Sequence, residues 1–190
     1  MSRWSTSLIA TTLLLWASTA TVDAGQVTIK GVHLCCTACQ ARADSALDGI
    51  PGLTKAAADR NSKVISFIAA NDKAVAAGIA SLAKNGFYGT AVHDKKPVAF
   101  PDTGAKTGAR ANSYTLRGLH LCCDACVVGA QKAIETVKGL QAIEIDRKQR
   151  TVKVIGQSIS LLEAIQALNK AGFYSHVHPP KDKPKPKPKK

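Results

Sequence analysis

Two stretches of the chain alternate apolar and polar positions, and each is followed by the same change of period. "QVTIKGV" from Gln26 and "YTLRGLHL" from Tyr114 carry β-branched and aromatic residues at a two-residue period, the pattern of a half-buried strand. Downstream the apolar positions become Ala43, Ala46, Leu47 and Ile50 in the first stretch, and Ala130, Ala133, Ile134 and Val137 in the second. Spacings of three, one and three make one face of a helix. Extending that face back by four residues reaches Cys39 and Cys126, so these two side chains are expected to lean toward the core. Cys36 and Cys123 are expected just ahead of the helices and more exposed. Gly49, Gly52 and Gly139 mark the ends of the first helices. "VISFIA" and "AIEIDRKQRTVKVI" return to strand periodicity, the latter as two runs joined by a polar turn. A second helical face follows, Val75, Ile79 and Leu82 matching Leu161, Ile165 and Leu168, and a short strand after Phe87-Tyr88 or Phe173-Tyr174 closes each stretch. The predicted fold is α+β, with the order βαββαβ, the ferredoxin-like split βαβ, occurring twice in tandem.

The chain is therefore an internal repeat. His33, Leu34, Cys35, Cys36, Ala38 and Cys39 recur as His120, Leu121, Cys122, Cys123, Ala125 and Cys126. "DRNSK" from Asp59 recurs as "DRKQR" from Asp146, and "LAKNGFY" from Leu82 recurs as "LNKAGFY" from Leu168. The units span 26–93 and 113–178. Residues 94–112 hold two glycines, two prolines and little periodicity, and predict a flexible linker.

Composition alters the picture at both ends. Arg3, followed by the apolar run centred on Leu13, Leu14, Leu15 and Trp16, and Val22-Asp23-Ala24 before Gly25, predict a signal peptide over 1–24, cleaved near Ala24. The mature protein is then exported, periplasmic or secreted. Much of the net charge of +13 lies at the other end, where "KDKPKPKPKK" holds six lysines and one aspartate. Residues 179–190 predict an extended Lys/Pro tail that packs no core. Such a tail solubilises, or makes weak contact with anionic envelope surfaces. No aromatic residue interleaves with its lysines, so no nucleic-acid partner is expected.

The doubled cassette is where the candidate chemistry lies. All six cysteines stand in "HLCCTAC" and "HLCCDAC". Two thiols two residues apart at a helix start can converge on one ion, and the helix amino end favours thiolates. Thiolate is a soft donor suited to Cu(I), Zn(II) and similar ions. Cys35 and Cys122 could add a third sulfur, and His33 and His120 a nitrogen, which would suit Zn(II). His93, His176 and His178 read as polar ends of the units. Export favours disulfides, but each unit has an odd number of cysteines, clustered in one loop. An enzymatic alternative is thiol–disulfide exchange through the Cys-x-x-Cys pairs. Each unit is too short for a thioredoxin-like fold and lacks a proline facing the cysteines. No catalytic triad, acidic pair or phosphate-binding loop occurs, so no catalytic residue is assigned and the protein is not expected to be an enzyme.

A strand, a loop whose Cys-x-x-Cys opens the first helix, and a Gly-aromatic pair after the second helix resemble the heavy-metal-associated domain family, in two copies. Copper chaperones, periplasmic mercury-binding proteins and amino-terminal modules of metal-transporting P-type ATPases belong to it. The resemblance implies that Cys36 and Cys39, with Cys123 and Cys126, are the paired metal ligands, and that Leu34 and Leu121 take the place of a loop-supporting Met. It implies that Gly86-Phe87 and Gly172-Phe173 face the metal site. It implies Cu(I), or Hg(II) or another soft ion, at one per domain. It further implies sequestration or transfer, with a metal-donor or acceptor protein as partner.

Overall fold

The computed structural model describes residues 24–177. The expected signal peptide, apart from Ala24, lies outside the described residues, as do His178 and the Lys/Pro tail. The first unit runs β1 (Gly25–Lys30), α1 (Thr37–Leu47), β2 (Leu53–Asp59), β3 (Val64–Ala69), α2 (Asp72–Lys84), β4 (Thr90–His93) and β5 (Lys96–Val98). The second runs β6 (Arg110–Arg117), α3 (Asp124–Ile134), β7 (Leu140–Asp146), β8 (Thr151–Ser160), α4 (Leu161–Lys170) and β9 (His176–Val177). The sheets have the orders β2-β3-β1-β4-β5 and β7-β8-β6-β9. All pairings are antiparallel. Apart from β5, each is the ferredoxin-like arrangement: the first and third strands of the unit lie side by side at the centre, and both helices cross the same sheet.

The helices bury the stripes that the periodicity predicts. Cys39, Ala43 and Leu47 are the buried residues of α1, and Cys126, Ala130 and Ile134 those of α3. Val75, Ile79 and Leu82 are buried in α2, Ile165 and Leu168 in α4, with Leu161 half-buried. Asn71 and Ser160 cap α2 and α4 by accepting from the N–H groups of Ala74 and Glu163, a contact worth about 1 kcal/mol. β2 is mostly exposed, "LTKAAAD" offering only Ala58 to the interior, which explains the weak strand signal there.

The two units do not stand apart. Their buried residues form one continuous hydrophobic cluster. Phe87 and Phe173 form an antiparallel bridge. Around it the Tyr174 N–H donates to the Gly86 carbonyl at 2.9 Å, and the Tyr88 N–H to the Gly172 carbonyl at 3.1 Å. Phe67, Phe87 and Phe173 are among the largest fully buried side chains, each contributing about 1.5–3 kcal/mol by leaving water. Arg150 ties the units further, donating to the Leu119 and Gly118 carbonyls at 2.8 and 2.9 Å and to the Lys84 carbonyl at 3.2 Å.

The expectation of a flexible linker over 94–112 is corrected. Asp94 and Lys95, with φ of 47° and 68°, turn the chain back so that β5 pairs with β4, the two-residue hairpin geometry that an Asp can open. Phe100 then packs on Tyr88, with ring centroids 4.7 Å apart, and lies 6.3 Å from Tyr174. The Tyr174 hydroxyl donates to the Pro101 and Asp102 carbonyls at 3.3 and 3.2 Å. The Val177 N–H donates to the Thr103 carbonyl at 2.9 Å. The segment is a strap across both units, and β6 already begins at Arg110.

Candidate metal centre

Each cassette spans the loop between a central strand and its first helix. Leu34 and Leu121 turn inward and are buried, anchoring the loop in the core. Cys36 and Cys123 occupy the position just before α1 and α3 and are half-buried. Cys39 and Cys126 lie on the helices' buried stripe with no exposed surface. Cys35 is exposed and Cys122 half-buried, and all six cysteines are free thiols.

The docked units bring the two cassettes face to face. Cys35 Sγ lies 3.4 Å from both Cys39 Sγ and Cys123 Sγ and 3.5 Å from Cys126 Sγ. Cys122 Sγ lies 3.3 Å from Cys39 Sγ, 3.9 Å from Cys36 Sγ and 3.6 Å from Cys126 Sγ. The two buried cysteines face one another at 3.7 Å. The sulfurs make one cluster rather than two separate ones. Cys35 and Cys122, which the spacing treats as additions to the Cys-x-x-Cys pairs, reach across to the other unit. Two overlapping four-cysteine groups meet the spacing of a metal site, Cys35 with Cys36, Cys39 and Cys123, and Cys39 with Cys122, Cys123 and Cys126.

The histidines also cross between units. His33 stacks on Phe173 and His120 on Phe87, each with centroids 4.2 Å apart. Gly129 lets His33 approach α3, because a Cβ there would come within 3.0 Å of its ring. His33 has a ring nitrogen in the third candidate group, with Cys35 and Cys126. His120 is 1% exposed, and the Nε2 atoms of both rings are buried without a hydrogen-bond partner. Such an atom is costly unless something satisfies it. His93 instead lies 3.8 Å from Asp72 and 3.4 Å from Asp94, away from the cluster. His176, in β9, is in none of the candidate groups.

The thiols differ in how readily they give up their protons. Burial chiefly pushes the Cys35 and Cys122 thiols well above their usual range. Cys126 is raised most directly by Cys39 beside it, then by burial. Cys39 is lowered, its thiolate accepting from Cys126 against the cost of burial and further favoured by His120. Burial opposes the thiolate at Cys123 too, but the Cys126 N–H and the neighbouring thiols hold it at about 7. Burial lowers the pKa of His33, which favours the neutral imidazole that a metal or a thiol can use. On the second cassette, Arg147 fixes the loop, bonding the Cys122 carbonyl and pairing with Asp124 at 3.0 Å.

Position along the chain does not reveal Phe87, Phe173 or Arg150 as parts of the site's frame. The Gly-Phe pairs signal it partly: rather than each facing its own cassette alone, they pair with one another and stack on the opposite unit's histidine. Phe100 has no signal beyond being the lone aromatic of the strap.

No family model matches the chain, and no curated protein does. Among solved structures it is similar to the N-terminal domain of PacS from Synechocystis PCC6803. That match has 22% identity over 36% of this chain and 100% of that one, at a TM-score of 0.34. Oxidized MerP from Ralstonia metallidurans CH34 matches at 26% identity over 37% of this chain and all of its own, TM-score 0.34. The N-terminal soluble domains of Bacillus subtilis CopA match at 18% identity over 80% of this chain and 92% of their own, TM-score 0.31. The chemistry of the site rests on this chain's own residues.

Proposed function

We propose that this protein is an exported tandem heavy-metal-associated protein that binds soft metal ions, Cu(I) foremost and Hg(II) or Zn(II) as alternatives, as cargo for sequestration or hand-off. The observation that carries the reading is the convergence of six free thiols from two cassettes, with Sγ spacings of 3.3–4.0 Å. A metal–thiolate bond of about 2.3 Å sets sulfurs around one ion about 3.8–4.0 Å apart. Only modest relaxation separates that from the spacing here. A covalent disulfide would need about 2.05 Å. The candidate ligand groups support the choice of a soft ion, since among the described residues they offer sulfur and imidazole and no carboxylate. A metal-donor or acceptor protein is the partner this implies, and the basic tail supplies weak attachment to anionic surfaces.

The test is anaerobic competition between the reduced mature protein and a Cu(I) chelator, with a variant carrying serine at all six cysteines as control. The protein should strip the chelator and the control should not. Equal behaviour of the two would end the reading. A second reading, thiol–disulfide exchange, is favoured by the Cys123 thiol, held at about 7 at a helix start. It predicts catalytic turnover of a mixed-disulfide peptide, whereas a metal carrier reacts with it once per thiol.

A further inference from the structure

We infer that the two cassettes form a single polynuclear Cu(I)–thiolate centre, holding more ions than two independent Cys-x-x-Cys sites could and filling as one unit. This rests on the soft-metal reading above and says how many ions that site takes and how.

Ten of the fifteen Sγ–Sγ pairs lie between 3.3 and 4.0 Å. Their connectivity is that of an octahedron of sulfurs lacking two edges. Cys35 stands opposite Cys122, Cys36 opposite Cys126, and Cys39 opposite Cys123. The missing edges are the two sequence-adjacent pairs, Cys35 with Cys36 and Cys122 with Cys123. Four triangles of mutually contacting sulfurs result: Cys35-Cys39-Cys126, Cys35-Cys123-Cys126, Cys36-Cys39-Cys122 and Cys39-Cys122-Cys126.

Every one of these triangles takes sulfur from both units. An ion with three sulfur ligands on any of them is therefore held by both cassettes at once. One ion accepts three or four thiolates, so a single ion leaves at least two of the six unused. Thiolate sulfur bridges soft ions readily. When each of six sulfurs bridges two trigonal ions on alternate faces of an octahedron, the bonds close at about four Cu(I) per chain, and the protons that the thiols still hold are released. Two of the triangles above belong to such a set, and its other two faces span the missing edges Cys35–Cys36 and Cys122–Cys123. Cys39 and Cys126 touch four other sulfurs each, the environment of bridging ligands. Because the faces share sulfurs, the first ions organise the sites for the rest, and intermediate loadings should be sparse. The stacked pairs His33–Phe173 and His120–Phe87 cross between the units, and Cys35 gives the cluster an exposed edge.

The test is anaerobic titration of the reduced full chain with Cu(I), followed by native mass spectrometry and by X-ray absorption at the copper edge. The expected result is a jump from the metal-free form to about four ions, with one- and two-ion species scarce and a copper–copper scattering path present. The Cys122→Ser variant, checked for folding by circular dichroism, should lose at least two of these ions. Two ions bound independently, with no copper–copper path, would overturn this inference and leave the soft-metal reading standing. Binding no stronger than in the six-serine control would overturn both.

Discussion

Cys35 Sγ lies 3.4 Å from Cys123 Sγ, 88 positions further along the chain and in the other half of the repeat. A cysteine outside the Cys-x-x-Cys pair of one unit thus touches the cysteine that opens the first helix of the other. The docking that joins them is made by Phe87 pairing with Phe173.

The sequence-adjacent cysteines should accordingly matter as much as the pairs. Cys35→Ser and Cys122→Ser are each expected to weaken Cu(I) binding to the same extent, within about threefold, as Cys36→Ser, because each removes contacts to both units. Chelator competition on single variants measures this. A Cys35→Ser protein with unchanged affinity would return the site to separate Cys-x-x-Cys pairs.

Gly86 is one of the places where the units approach closely. Its φ is 86°, and a Cβ there would overlap the backbone of His120 and Gly118. Gly86→Ala should cost about 1–3 kcal/mol from the left-handed backbone alone, with the clash acting against docking. Denaturant unfolding and small-angle scattering should show lower stability and a larger radius of gyration. A compact variant of unaltered stability would contradict the close approach.

Metal uptake should release protons, and affinity should rise with pH. Cys35, Cys122 and Cys126 have thiols raised above their usual range, so they are protonated at neutral pH. A bound ion takes the thiolate form, which drives their protons off. Cys39 is lowered and Cys123 sits at about 7, so these contribute less. Calorimetry in buffers of different ionisation enthalpy should find about three or more protons released near pH 7. Heats that do not depend on buffer would contradict this protonation pattern.

The strap can be tested apart from the metal. Phe100 packs on Tyr88 and reaches toward Tyr174. Phe100→Ala should lower stability by about 1–2 kcal/mol, a partly buried aromatic's share. It should also speed hydrogen exchange at the Val177 amide, which bonds the Thr103 carbonyl. Unchanged exchange there would mean that the strap is held by its backbone alone.

Local periodicity carries much of this architecture. The stripe from Cys39 through Ala43 to Leu47 reports a buried helix face, because a helix repeats within four residues. The doubling of His33 to Cys39 as His120 to Cys126 reports a second unit. What joins the units is not periodic. The Phe87–Phe173 bridge depends on two loops far apart in the chain, and a Gly-Phe pair looks the same whether it faces its own cassette or its counterpart. The bridging positions of Cys35 and Cys122 follow from that docking, so spacing ranks them as accessories. The glycines and prolines of 94–112 are shared by flexible and ordered segments alike. Only the partners of Phe100, and a turn that Asp94 tolerates at positive φ, make this one a strap.

The central claim, one soft-metal site made by both cassettes, is tested most directly in the whole chain with one cassette disarmed. A variant with serine at Cys122, Cys123 and Cys126 keeps all three sulfurs of the first cassette, and its affinity for Cu(I) can be compared with that of the parent by chelator competition. The account predicts a loss of at least about tenfold, equivalent to about 1.4 kcal/mol, together with retention of fewer than half the parent's ions. Half the ions bound at the parent's affinity would contradict it, for the cassettes would then be two independent sites.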